Sequence, residues 1–230
     1  MMLRLNSSLI LLMLLAAPVS AQFVPIDVDD PRPVEKVMDG IKAQCQCVIT
    51  YEDPAYTSAQ LVDMTRTVRK DGKSEPKVLG LPNRFMSFHY DPTDKVERNV
   101  ELALQQARKD GAAFRLTRSS DMFHVIPEAG SILNTPVTGV LKQGSAFDVV
   151  RSILNSVSRA RGTKIGLHGM EQLLGRTAVT LPGNSGTADQ LLLTAWPQIS
   201  KELKLTWKLL YEGQDRFYVF SVIPVQTRQR

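Results

Sequence analysis

The chain has 230 residues, of which 43% are hydrophobic, 22% charged and 7% aromatic. That composition and length suit one or two globular domains and exclude a disordered, collagen-like or disulfide-dense chain. The 28 Lys and Arg against 23 Asp and Glu give +5, too mild a balance to argue for a nucleic-acid partner.

Residues 1–21 read as a secretory signal peptide. Arg4 supplies a positive start, Leu9 to Leu15 an apolar run too short to span a bilayer, and Pro18 a break. Val19-Ser20-Ala21 places small residues where a signal peptidase needs them, so cleavage is expected between Ala21 and Gln22. Losing Arg4 leaves 27 basic against 23 acidic residues, or +4. No other apolar run approaches spanning length, so no integral membrane segment is expected after cleavage. The expected location is the periplasm, or outside the cell, of a bacterium.

Residues 22–33 form an Asp- and Pro-rich lead-in, expected to be extended. Val34, Val37, Met38 and Ile41 then recur at helical spacing. Cys47 to Tyr51 is β-branched and predicts a strand, ended by Pro54. Residues 55–83 look like an inserted hairpin or long loop, with alternation at Val62, Met64, Arg66 and Val68 and a turn at Lys70-Asp71-Gly72-Lys73. Arg84 to Tyr90 predicts a strand with Met86, Phe88 and Tyr90 on one face. Asp94 with Glu97 opens a helix whose stripe is Val96, Val100, Ala103, Leu104 and Ala107. Ala113 to Thr117 and Met122 to Ile126 make a hairpin closed by Pro127.

The second half repeats this order. Ser145, with Asp148, caps a helix carrying Phe147, Val150, Leu154 and Val157, and Gly162 ends it. Strands are predicted over Lys164 to His168 and Arg176 to Leu181. Thr187 with Gln190 opens a further helix, where Pro197 predicts a kink or break near Trp196. Leu205 to Tyr211 and Phe217 to Ile223 make the last hairpin. The period is near 95 residues. The expected fold is therefore α+β: two tandem small modules over 34–128 and 129–224, each a 3–4-stranded mixed sheet with two helices on one face, and a tail over 225–230.

Thr177-Ala178-Val179-Thr180-Leu181, Thr187-Ala188-Asp189-Gln190-Leu191-Leu192, Leu205-Thr206-Trp207 and Phe217 to Ile223 together resemble the short N-terminal domain shared by secretins and TonB-dependent receptors. The second module matches best and the first more loosely, around Phe88 to Ile126. The resemblance implies a periplasmic protein-interaction or assembly module without catalytic residues. The insertion at 55–83 is foreign to that pattern, and the six residues after the last strand leave no expectation of a secretin pore or receptor barrel.

Chemistry has few footholds. Cys45 and Cys47 are the only cysteines, and along a strand residues two apart share a face, so their sulfurs could meet as a disulfide or a thiol pair. No second Cys pair or His cluster completes a zinc site. His89, His124 and His168 fall on separate predicted strands. Gly183-Asn184-Ser185-Gly186 lacks the Gly-x-Ser-x-Gly elbow and suits a turn before a helix cap. Glu52-Asp53-Pro54 is the best acidic site if the chain is an enzyme. Arg66, Arg69, Lys70, Lys73 and Lys77 form a basic run in the insertion, suited to an acidic partner or an anionic cell-envelope surface, or else to a solvated loop.

The expected function is a non-catalytic interaction or assembly module of the cell envelope, without cofactor, binding an envelope protein through a sheet edge or the basic 61–79 hairpin. The alternatives are an envelope enzyme or thiol-redox protein using Cys45 and Cys47, and a ring scaffold formed as a homo-oligomer.

Overall fold

The structure, a computed structural model, describes residues 23–56, 62–63, 79–80, 85–109, 111–119, 121–212 and 217–225. The fold is α+β. In the first half β1 (Val24–Asp29) precedes α1 (Pro33–Cys45) and β2 (Val48–Glu52). The two-residue strands β3 (Val62–Asp63) and β4 (Leu79–Gly80) follow, then β5 (Phe85–Tyr90), α2 (Val96–Lys109), β6 (Phe114–Ser119) and β7 (Met122–Pro127). A 3-10 turn, Ile132–Asn134, leads into the second half. That half contains β8 (Pro136–Thr138), β9 (Gln143–Ser145), α3 (Ala146–Arg161), β10 (Lys164–His168), α4 (Glu171–Arg176), β11 (Ala178–Thr180) and β12 (Ser185–Thr187). It ends with α5 (Ala188–Ile199), β13 (Leu205–Glu212) and β14 (Phe217–Pro224).

Local signals place the helices. Ser145 Oγ accepts from Asp148 N–H, and Gly162 closes α3 in the left-handed region at φ 64°. Thr187 and Gln190 form the reciprocal capping box of α5. Pro197 breaks nothing near Trp196: α5 runs on to Ile199. The proline sits in the last turn, so only one helical hydrogen bond is lost. Several elements have no counterpart in the sequence-based expectations, among them the short strands β9 and β12. The lead-in is a strand, β1, paired antiparallel with β5, and Glu171–Arg176 is a short helix.

The halves share an order of elements and of pairings. β1 pairs antiparallel with β5; in the second half the same task is split between β8–β12 and β9–β11. β2 runs parallel to β7, and β10 parallel to β14. Each half closes with an antiparallel hairpin, β6–β7 or β13–β14.

The halves do not keep separate three- or four-stranded sheets. They join into one six-stranded sheet, ordered β10-β14-β13-β2-β7-β6. The join is parallel, pairing Lys208 with Tyr51 and Leu209 with Glu52. The physical reason lies in β2: Val48, Ile49, Thr50, Tyr51 and Glu52 are all buried. A strand covered on both faces belongs at the centre of a sheet, not at an edge.

The helices cover opposite faces of this sheet. Successive strand residues point to opposite sides, and they divide between two cores accordingly. Ile49, Tyr51, Phe114 and Val125 pack with Val37, Ile41, Val100 and Leu104 of α1 and α2. Val48, Trp207, Leu209 and Phe220 pack with Val150, Ile153, Leu192 and Trp196 of α3 and α5. No helix among the described residues is long and apolar enough to cross a membrane.

Candidate functional site

Polar residues concentrate where the halves meet. Asp53, wholly buried, accepts from Arg32 Nε at 2.9 Å, Tyr51 Oη at 2.8 Å and Tyr211 N–H at 3.0 Å. Arg32 also donates to Tyr211 O at 2.9 Å and to Glu212 at 3.0 Å. Burial raises the Asp53 carboxyl, and Arg32 and Tyr51 oppose that rise. Deeper along the join, Lys208 donates to Glu35 and, at 2.6 Å, to Asp39. Lys42 completes the cluster at 2.7 Å from Asp39. Burial works against the Lys208 charge, but Glu35 and Asp39 outweigh it and the amine holds its proton more tightly than usual. Thr206 Oγ1 donates to Ile49 O at 2.6 Å. These bonds link the two halves well beyond the two-residue ladder.

A cavity of about 220 Å3 lies on the α5 side of the first hairpin, lined by Thr50, Glu52, Arg115, His124, Asp189 and Trp207 among others. His124 is buried, and burial lowers its imidazole to about 4, so it is neutral at pH 7. Its Nδ1 shares a 2.7 Å hydrogen bond with Thr50 Oγ1. Its Nε2 has no partner, alone among buried side-chain nitrogens and oxygens of the described residues. Glu52 accepts from Ser131 Oγ at 2.5 Å and Ile132 N–H at 2.6 Å. Burial still pushes its carboxyl up to about 7. Glu52 can therefore hold or release a proton near neutrality, but both its oxygens are spent on the segment that joins the halves.

The sequence-predicted residues are dispersed. Glu52 and Asp53, adjacent carboxylates in the chain, point to opposite sides of β2 and form no common acidic site. Cys45 and Cys47 are disulfide-bonded, with Cα atoms 5.1 Å apart. They are not neighbours on a strand, as expected from their spacing. Cys45 ends α1, and Gln46 turns left-handed at φ 52° and donates its N–H to Lys42 O at 2.8 Å. The bond therefore staples a helix end. His89 and His168 are exposed, on β5 and β10, whereas His124 is buried on β7. Gly183 to Gly186 is the turn into β12 and the α5 cap, as its composition indicates. No group of three or more His, Cys, Asp or Glu among the described residues could hold a metal ion. Ala21, Gln22, Arg66, Arg69, Lys70, Lys73 and Lys77 lie outside the described residues. The ends of the insertion do pair, Val62 with Gly80 and Asp63 with Leu79.

The remaining feature is the pair of outer strands. β6 and β10 each pair on one side only among the described residues. Glu128 N–H bonds Ala113 O next to the Phe114–Pro127 pair. Antiparallel pairs alternate, so Phe114, Leu116 and Arg118 turn their backbone groups outward. Arg108 Nη2 caps the first of these, Phe114 O, at 3.2 Å. On β10, Ile165 N–H turns away from β14 to Ser158 Oγ at 3.1 Å, so Leu167 is the next outward-facing residue. A sequence search for reactive side chains misses this feature, because an open ladder is a property of backbone and topology. No family model matches the chain, and neither a curated protein nor a solved structure matches it significantly.

Proposed function

We propose that this chain is a non-catalytic interaction module of the bacterial cell envelope that takes an extended segment of another envelope protein onto an outer strand of its sheet. The observation that carries this reading is the six-stranded sheet itself. Its centre is buried on both faces and cross-braced by the Asp53–Tyr211 and Lys208–Asp39 bonds, while β6 and β10 present outward backbone groups. A rigid sheet with an open edge offers main-chain hydrogen bonds for affinity and alternate side chains for specificity. Residues 1–21 supply the export signal. The resemblance of 177–223 to the secretin N-terminal module supports the same class of function.

The test is site-specific photo-cross-linking in the periplasm. Probes replace Arg115 on β6, Lys164 and His168 on β10, and Glu101 on α2 as a control; all four are exposed. One identified envelope protein captured from a strand position and not from Glu101 is the expected result. Capture from Glu101 alone, or from none of the four, overturns the proposal.

A further inference from the structure

β10 in the second half corresponds to β2 in the first. Each follows the first long helix of its half, and each runs parallel to the last strand of that half's hairpin. The outer side of β2 is filled by β13, running parallel to it. The outer side of β10 faces no strand among the described residues. The molecule thus carries at its centre a filled counterpart of the edge left open at its end.

The helix above each edge sets which strand fits. α1 and α3 end alike, in left-handed caps at Gln46 (φ 52°) and Gly162 (φ 64°), whose N–H groups return to Lys42 O and Ser158 O. Counting back eleven and seven residues from each cap gives Glu35 and Asp39 on α1, and Arg151 and Asn155 on α3. Glu35 and Asp39 receive Lys208 of the incoming β13. Arg151 and Asn155, with Ser158 and Arg159, line an open groove of about 630 Å3. Arg151 lies over the Phe147 ring at 5.9 Å, and Arg159 donates to Ser156 Oγ at 3.2 Å. Neither pairs with a carboxylate among the described residues. Asp148, the acid in the groove, is already bonded by Ser145 Oγ at 2.6 Å. The charge at the corresponding position is reversed.

We infer that the β10 edge receives, as a parallel strand, an extended segment of a partner protein that carries Asp or Glu where β13 carries Lys208. The inference rests on the interaction-module function proposed above and gives the partner its chemistry. Leu167 supplies the outward backbone groups, and Leu141, 42% exposed at the groove, supplies apolar contact. A second copy of this chain is a poor occupant. Its open strand β6 would bring Arg115, which lines the α5-side cavity, toward Arg151 and Arg159, and like charges reject a partner.

The probe is β13 itself with one charge reversed: a fluorescent peptide, Leu-Thr-Trp-Glu-Leu-Leu-Tyr-Glu, titrated onto the full chain. The controls are the same peptide with Lys restored and a peptide of the β6 sequence, Phe114 to Ser119. The acidic peptide is expected to bind at least tenfold more tightly than either control, with an advantage that falls as salt is raised. Arg151→Glu with Arg159→Glu should make the Lys peptide the tighter one, which a merely structural role for these arginines would not do. Circular dichroism verifies the fold, and Arg151→Gln with Arg159→Gln, expected to remove the preference, replaces the double reversal if that variant does not fold. Equal binding, no binding, tighter binding of the β6 peptide, or an order unchanged in the variants overturns the inference. Such a failure alongside partner cross-links at β6 leaves the interaction-module function standing; failure of both experiments removes both.

Discussion

Lys208 on β13 donates to Asp39 Oδ2 on α1 at 2.6 Å, and the same amine reaches Glu35. The amine belongs to one half of the chain and the carboxylates to the other, so one buried cluster closes the join that only two ladder pairs define. Lys208→Met leaves Glu35, 4% exposed, with Lys36 at 3.5 Å as its remaining ion-pair contact among the described residues. Breaking one side of a buried ion cluster costs about 3–5 kcal/mol. The variant should unfold at a clearly lower urea concentration than the native chain. Lys208→Met with Glu35→Leu should recover much of the loss, because a matched apolar pair leaves no charge stranded. An unchanged midpoint for Lys208→Met would mean that the cluster does not hold the halves together.

Glu52 and His124 line one cavity and make stability respond to pH in opposite senses. Glu52, raised from 4.5 to about 7 in the folded chain, is protonated when folded and ionised when unfolded between those values. The unfolded state binds fewer protons there, so the Glu52 contribution falls as pH rises. His124, lowered from 6.5 to about 4, is neutral when folded and charged when unfolded in its window, so its contribution rises with pH. Between about 4.5 and 6.5 the two slopes, each about 1.4 kcal/mol per pH unit, cancel. Their summed contribution to native stability should be nearly flat across that range. Glu52→Gln should show stability rising with pH, and His124→Phe stability falling with pH, in urea titrations at half-unit steps. Parallel profiles for the two variants would contradict this account.

The Cys45–Cys47 bond closes the smallest of loops, two residues apart at a helix end already capped by Gln46. The loop-entropy model assigns such a short loop only about 1.5 kcal/mol. Cys45→Ser with Cys47→Ser should therefore fold, with a loss near that size in thermal denaturation. Gln46→Gly should stabilise by about 1 kcal/mol, since a side chain is disfavoured in the left-handed region. A chain that fails to fold without the disulfide would show that the staple does more than end a helix.

Two glycines near the β10 edge should respond differently to one added methyl. Gly169 sits at φ +86°, and a Cβ there would lie 2.5 Å from Val222 O, a backbone atom that cannot swing aside. Gly169→Ala should cost about 2–4 kcal/mol from strain and crowding. Gly166→Ala meets only Tyr218 O, at an ordinary 3.9 Å, and should shift stability by no more than about 0.5 kcal/mol. Equal melting temperatures for the two variants would show that β10 relaxes freely at its end.

The long helices, the two hairpins and the order in which they recur were legible in the amino-acid sequence. Ser145, Thr187 and Gly162 act within one turn of the chain, and hairpins such as Phe114–Ser119 with Met122–Pro127 join neighbours, so short-range spacing sufficed. The α+β class followed from that order. Tertiary structure decided the rest. β1 was not legible as a strand because its Asp and Pro content suggests an extended lead-in despite the alternation of Val24, Ile26 and Val28, and its partner β5 lies about sixty residues away. Cys45 and Cys47 read as strand neighbours until Gln46 turned left-handed between them. Adjacent Glu52 and Asp53 read as one acidic pair, but the pleat sends them to opposite cores. The union of the halves into one sheet is braced by Lys208, whose carboxylate partners lie in the first half, and by Asp53 and Arg32, which reach Tyr211 and Glu212 in the second. No local pattern records which distant charge a buried residue will meet, because that choice is made only when packing excludes water from both.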